Sequence, residues 1–106
     1  MAERPTISTH VLDTEHGLPA VGVSVELYRI DDELETLVGS GTTDDDGRIR
    51  DLLFEALETA TYRLAFELGG SFFSAASVTF VVNDAARSYH VPLLMAPYSL
   101  ATYRGS

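Results

Sequence analysis

Three histidines, His10, His16 and His90, are the only side chains of this 106-residue chain whose ordinary pKa lies near neutrality. No cysteine occurs, which removes disulfides, thiolate metal sites and a cysteine nucleophile together. Lysine is also absent, so every cationic group that could grip a ligand is an arginine, at positions 4, 29, 48, 50, 63, 87 and 104. His16 stands in a polar loop beside Gly17 and reads as a solvated turn residue. His10 and His90 fall in strand-like stretches, where a lone histidine is ordinarily a hydrogen-bonded core residue. Brought together with a cation, the two would instead form an acid–base site. A two-histidine metal site lacks a companion ligand at recognisable spacing, and no metal is expected. Arg48 follows the run Asp44-Asp-Asp-Gly47 directly. It is either a surface arginine paired with those aspartates or a planar guanidinium aimed at a flat, polar ligand. Ser8-Thr9-His10 invites a hydrolytic triad with distant aspartates, but no Gly-x-Ser-x-Gly elbow is present.

The elements that must position these residues read as an all-β sandwich: apolar positions alternate, and turn residues recur at short spacing. Ile7 to Leu12 is a strand with Thr9 and Val11 on one face and Ser8 and His10 on the other. A loop covers Asp13 to Pro19. Val21 to Tyr28 forms a second strand, with Val23, Val25 and Leu27 pointing one way. Asp31-Asp-Glu33 breaks it, and Thr36 to Thr43 forms the next, where Gly39 and Gly41 suggest a bulge or a close backbone contact. Asp44 to Gly47 is a turn. Asp51 to Glu58 is compatible with a helical turn or a short strand. Tyr62, Leu64 and Phe66 define a strand that ends at Gly69-Gly70, and Ser77 to Val82 forms another. Arg29 and Glu26 read as solvated faces.

Ser88 to Met95 is unusual, because both of its faces are mostly apolar. A single sandwich core cannot satisfy both, so a second surface buried by other subunits is favoured over a loop cover. Pro92 cannot donate to a sheet ladder, so a bulge or an edge register is expected beside His90. A further segment runs from Tyr98 to Arg104.

Composition limits the partners. Seven basic against sixteen acidic side chains give a formal net charge of −9, which repels nucleic acid and anionic membranes. No apolar stretch approaches the roughly 20 residues that cross a bilayer. The opening MAERPTISTH shows no basic region followed by an apolar core, so the expected location is cytoplasmic. The length fits a single domain, residues 1–106.

Three strings carry a resemblance: Ser8-Thr-His-Val-Leu-Asp-Thr-Glu-His-Gly-Leu-Pro-Ala20, Thr43-Asp-Asp-Asp-Gly-Arg48, and Tyr89-His-Val-Pro-Leu-Leu-Met-Ala-Pro-Tyr98 with the terminal Thr102-Tyr-Arg-Gly-Ser106. Over nearly the whole chain the sequence resembles the 5-hydroxyisourate hydrolases, transthyretin-like enzymes of urate breakdown. The Tyr-His-Val-Pro and Tyr-Arg-Gly-Ser segments separate those enzymes from transthyretin itself. The resemblance implies a two-sheet prealbumin-like (transthyretin-like) β-sandwich with at most one short helix. It implies a homotetramer, a dimer of dimers with active sites where dimers meet. It implies hydrolysis of a cyclic amide in 5-hydroxyisourate to 2-oxo-4-hydroxy-4-carboxy-5-ureidoimidazoline, without a metal or organic cofactor. The matching positions are His10, Arg48 and His90, with Tyr103, Arg104, Gly105 and Ser106 from the terminal motif, of which Tyr103 and Ser106 offer hydroxyls as orienting partners. One histidine would be the general base and the other would position it or the substrate. The connection from Glu67 to Ser77 is shorter than in most relatives, which carry a small helix there.

Two rival readings share the fold: a non-catalytic carrier of the transthyretin kind, and a structural β-module. The carrier requires neither His10, His90 nor the Tyr-Arg-Gly-Ser ending, and the absence of lysine argues against a crosslinked form of the module.

Overall fold

The computed structural model describes residues 4–105. They form two sheets packed face to face, with no helix among the described residues. The second sheet is the regular one. Its strands β3 (Ser24–Asp31), β4 (Leu34–Thr42), β6 (Ala60–Glu67) and β7 (Ala75–Val82) lie antiparallel in the order β4-β3-β6-β7. Alternation does its expected work here. Val25, Leu27, Tyr62, Leu64 and Phe66 turn inward and are essentially buried, whereas Ser24 and Glu26 face outward. At roughly 25 cal/mol per Å2 of apolar surface removed from water, this face is a main source of the fold's stability.

The first sheet is built around β1 (Ile7–Asp13). One edge of β1 pairs antiparallel with β2 (Leu18–Pro19) and β5 (Arg48–Ile49). The other edge pairs parallel with β8 (Tyr89–His90) and β9 (Leu93–Ala96), and β10 (Ser99–Thr102) closes the sheet antiparallel to β9. Ile7, Thr9 and Val11 point into the core, leaving Ser8, His10 and Leu12 on the outer face.

The segment Ser88 to Met95 is not one strand. It is interrupted at Val91-Pro92, both of which are buried. No residue is inserted, however: the register runs from Ser8↔His90 to Val11↔Leu93, three steps on each strand, so Pro92 interrupts the ladder without a bulge. Side chains replace the missing rungs, with Thr9 Oγ1 donating to the Val91 carbonyl and Thr102 Oγ1 to that of Pro92, each at 2.7 Å. Asp51 to Glu58 is neither helix nor strand; it meets the sheets through the bridge Gly39↔Leu53 and through the Leu52 and Phe54 amides, which donate to the Ile7 and Val38 carbonyls. The bulge suggested by the β4 glycines is present: Leu27 pairs with Gly39 and Tyr28 with Leu37, leaving Val38 as the extra, buried residue. The 68–74 connection carries no helix and is closed by Leu68 and Gly69 amides on the Ser74 carbonyl. Arg29 is not a solvated face. Its side chain is 19% exposed and pairs with Asp31, Glu55 and Glu58, tying the irregular 51–58 segment to β3.

Candidate active site

The Asp44–Gly47 turn positions two site groups at once. The Asp44 carboxylate accepts the backbone N–H groups of Asp46 (2.9 Å) and Arg48 (3.0 Å), and its own amide donates to the Arg48 carbonyl. These N–H donors, with the Arg48 amide foremost and Arg50 adding its guanidinium, hold the Asp44 carboxyl below its ordinary value against the opposing effect of burial. Gly47 adopts φ +75° and its carbonyl accepts the Val11 amide at 2.7 Å, fastening the turn to β1. A Cβ on Gly47 would sit 2.4 Å from the Val11 carbonyl oxygen, so the close approach requires glycine.

That docking sets the geometry. His10 and Arg48 are register partners across β1 and β5, and Ser8 and His90 are register partners across β1 and β8. Ser8 and His10 are alternate residues of β1, so Arg48, His10 and His90 share one outer face of the first sheet, in three adjacent strands. Strand spacing and rise put the His10 and His90 Cα atoms about 8 Å apart on that face. His10 Nε2 lies 2.8 Å from the Asp46 carbonyl oxygen. A carbonyl only accepts, so Nε2 carries a proton and the lone pair of a neutral His10 ring is on Nδ1. His90 Nδ1 lies 2.9 Å from Ser8 Oγ.

Burial is the first cause holding the His90 imidazole below its ordinary value. The positive charges of Arg48 and His10 act in the same direction, and the Ser8 backbone carbonyl opposes them. His90 is therefore neutral at pH 7, as a proton acceptor must be. The Arg48 guanidinium has no hydrogen-bond or ion-pair partner among the described residues. Arg50, not Arg48, pairs with Asp44 (2.8 Å) and approaches Asp46 (3.8 Å).

The terminal motif closes over His90. Gly105 N–H donates to the His90 carbonyl at 2.8 Å, and a Cβ on Gly105 would lie 2.5 Å from His90 Cδ2. The terminal motif includes Gly105, but its backbone contact with an imidazole has no signature in residue type. Tyr103 is not brought to the histidines within this chain. It is half exposed and lines a groove of about 160 Å3 with Val78, Phe80, Tyr89 and Arg104, whose guanidinium lies over the Tyr89 ring. Ser106 lies outside the described residues. His16 is exposed, as a turn residue should be. Its Nδ1 is 2.8 Å from Asp13 Oδ2, and that contact, followed by the charges of Asp13 and Glu15, raises its pKa. Asp13, Glu15 and His16 form a cluster whose ligand atoms lie within 4.8 Å of one another, already closed internally by that contact.

The arrangement offers a neutral imidazole, a second imidazole of fixed tautomer and an unpaired guanidinium on one open face. The HIUase/Transthyretin family model matches residues 7–105. The chain belongs to the HIUase/Transthyretin family. It is 41% identical to the 5-hydroxyisourate hydrolase of Deinococcus radiodurans over the whole of both chains. The structure of Klebsiella pneumoniae 5-hydroxyisourate hydrolase superposes with a TM-score of 0.82 at 37% identity, covering 95% of this chain and 99% of that one. Sea bream transthyretin in complex with thyroxine superposes with a TM-score of 0.85 at 26% identity, covering 93% of each. The fold is thus an all-β, transthyretin-like sandwich. No helix among the described residues is long and apolar enough to cross a membrane.

Proposed function

We propose that this family member hydrolyses 5-hydroxyisourate to 2-oxo-4-hydroxy-4-carboxy-5-ureidoimidazoline, a step of urate degradation, using His10, Arg48 and His90. The observation that carries the reading is their common face: the His10↔Arg48 and Ser8↔His90 register pairs lie side by side on β1. Similarity to 5-hydroxyisourate hydrolases over full length favours this substrate over other cyclic amides.

The chemistry follows from the groups. Water is a weak nucleophile at neutral pH, and a neutral imidazole removes its proton as it attacks. His90, kept neutral by burial and by the charge of Arg48, is suited to that task. The water oxygen bonds to a ring amide carbonyl carbon, and negative charge grows on the carbonyl oxygen. The planar Arg48 guanidinium offsets that charge and grips the flat edge of the substrate. The C–N bond then breaks, the leaving nitrogen takes the proton held by the imidazolium, and a carboxylic acid is formed. His10, its Nε2–H fixed on Asp46, orients water or substrate through Nδ1. Tyr103 and Ser106 supply hydroxyls that orient the substrate in the assembled protein. No cofactor takes part.

The assembly in this reading is a homotetramer, a dimer of dimers, acting in the cytoplasm. Supporting it are the free edges of β7 and β10, with Val81 65% and Tyr98 76% exposed, and the half-buried Leu12 and Leu94 beside the site. Light scattering across a concentration series checks it; a monomer at high concentration would contradict shared sites.

The deciding assay follows the absorbance of freshly generated 5-hydroxyisourate. Catalytic amounts of protein should accelerate its decay. Decay at the spontaneous rate with stoichiometric protein would favour a carrier instead.

A further inference from the structure

The two imidazoles are held through opposite nitrogens. His10 is bound at Nε2 by a backbone carbonyl, whereas His90 is bound at Nδ1 by the Ser8 hydroxyl. A carbonyl dictates where the proton sits, but a hydroxyl can donate or accept. The state of His90 therefore depends on what else Ser8 offers.

Ser8 offers the ring only that hydroxyl, whose oxygen contacts Nδ1 and no other group among the described residues. With Nδ1 engaged and Nε2 left open, a proton on Nδ1 donated to Oγ leaves Nε2 as the bare nitrogen. The Ser8 carbonyl accepts the Val91 amide at 2.9 Å, so β1 and the chain after His90 are fixed to each other at this point. On the far side, Gly105 packs against Cδ2, the ring carbon next to Nε2. The imidazole is thus confined between a side chain of β1 and the backbone of the terminal segment. Nε2 has no hydrogen-bond partner among the described residues.

We propose that Ser8 is a positioning residue for His90, holding the proton on Nδ1 so that the Nε2 lone pair is the atom that receives the proton of the attacking water. The inference rests on the hydrolase reading for its consequence but not for its geometry. Ser8 touches no reacting atom; it acts by selecting one tautomer of a neutral ring and by stopping the ring from turning about χ2. The wrong tautomer would present an N–H where a base is needed.

The test compares the full-length protein with Ser8→Ala and Ser8→Thr. Ring nitrogens are read by 15N NMR on histidine-labelled protein, with the His90 signals assigned by their loss in His90→Asn. The wild type and Ser8→Thr should show His90 protonated at Nδ1 and bare at Nε2, and Ser8→Ala should move population toward the Nε2–H form. With 5-hydroxyisourate, Ser8→Ala should lose about tenfold in kcat with KM little changed, part of the ~10²–10⁴ that acid–base catalysis supplies. Ser8→Thr should recover most of it. A wild-type His90 protonated at Nε2, or a Ser8→Ala variant with unchanged tautomer and unchanged kcat, overturns the inference. If the wild type shows no hydrolysis, the functional reading fails, yet the NMR arm still decides the tautomer.

Discussion

His10 and Arg48 stand opposite each other as a register pair between β1 and β5, although a strand hairpin and a turn separate them in the chain. The pairing is made by the turn before Arg48, whose Asp44 carboxylate collects backbone amides and whose Gly47 carbonyl is fastened to Val11. It places a planar cation beside an imidazole with nothing else to bind.

Because the Arg48 guanidinium has no partner among the described residues, its removal should leave the fold intact. The turn is held by backbone atoms of Arg48, which Arg48→Ala retains. The expected loss in kcat/KM is about 10²–10³, the usual cost of deleting one charge-stabilising donor, with Tm unchanged within a couple of degrees. Arg48→Lys should recover little, since an ammonium lacks the planar fork. Wild-type kinetics in Arg48→Ala would remove this residue from the site.

Acid should silence the site through His90. Its pKa is lowered by burial and by the charges of Arg48 and His10, so the acid limb of the kcat/KM profile should fall below the ordinary value of 6.5. Stability follows the same direction. The unfolded chain takes up this proton before the folded one, so the contribution is complete above 6.5 and is lost as pH falls through the depressed folded value. Asp44 adds a second loss at lower pH. Its carboxyl is lowered by the amides it accepts, so its contribution is present above the unfolded value of 3.8 and disappears as pH falls through the folded one. Chemical denaturation across this range should show both, and His90→Asn should abolish the upper one. An unchanged upper step in that variant would assign it elsewhere.

Gly105 should be needed for activity more than for stability. A Cβ there would meet His90 Cδ2 at 2.5 Å and Cβ at 3.3 Å, so Gly105→Ala must displace either the ring or the terminal segment. Only one backbone bridge, His90↔Gly105, ties this residue to the sheet, and little of the core depends on it. The variant should keep its Tm and lose about tenfold or more in kcat, an order expected when a proton-transfer group is misplaced. A crystal structure of the variant with His90 unmoved would contradict this account.

Alternation exposed most of the fold. Val25, Leu27, Tyr62, Leu64 and Phe66 repeat every second residue and all are buried, because each strand has one wet face. Segments held by single long-range contacts were not legible. The 51–58 stretch takes its path from Arg29 of β3 and from Arg4, which precedes β1; they bind its carboxylates and carbonyls from far along the chain. Pro92 predicts a bulge or an edge register because residue type shows a missing donor but not the Thr9 and Thr102 hydroxyls that make good the loss. For the site, residue type picked out His10, His90 and Arg48 as candidates, and the family motifs linked them. Periodicity alone could not bring them together, since parallel pairing of β1 with β8 joins residues from opposite ends of the chain. The roles of Ser8 and Gly105 depend on distances that no local pattern encodes.

Gly47 gives the sharpest test of how turn geometry reaches the site, because it can be set against a second glycine. Gly17 and Gly47 both have positive φ, +69° and +75°, so an alanine at either place incurs a similar backbone cost of about 1–2 kcal/mol. Their surroundings differ. A Cβ at Gly17 meets nothing within 4 Å, whereas at Gly47 it would lie 2.4 Å from the Val11 carbonyl and 3.1 Å from Pro19 Cβ. Gly17→Ala should lower Tm by about 5–10 °C through backbone strain alone and leave kcat near wild type. Gly47→Ala should lower Tm further and also reduce kcat, because the turn must lift away from β1. That movement takes with it both the Asp46 carbonyl that fixes His10 and the backbone that aims Arg48. Differential scanning calorimetry and steady-state kinetics on the two variants measure the difference. Equal losses in Tm and kcat for the pair would mean that the contact between the turn and β1 does not set the site.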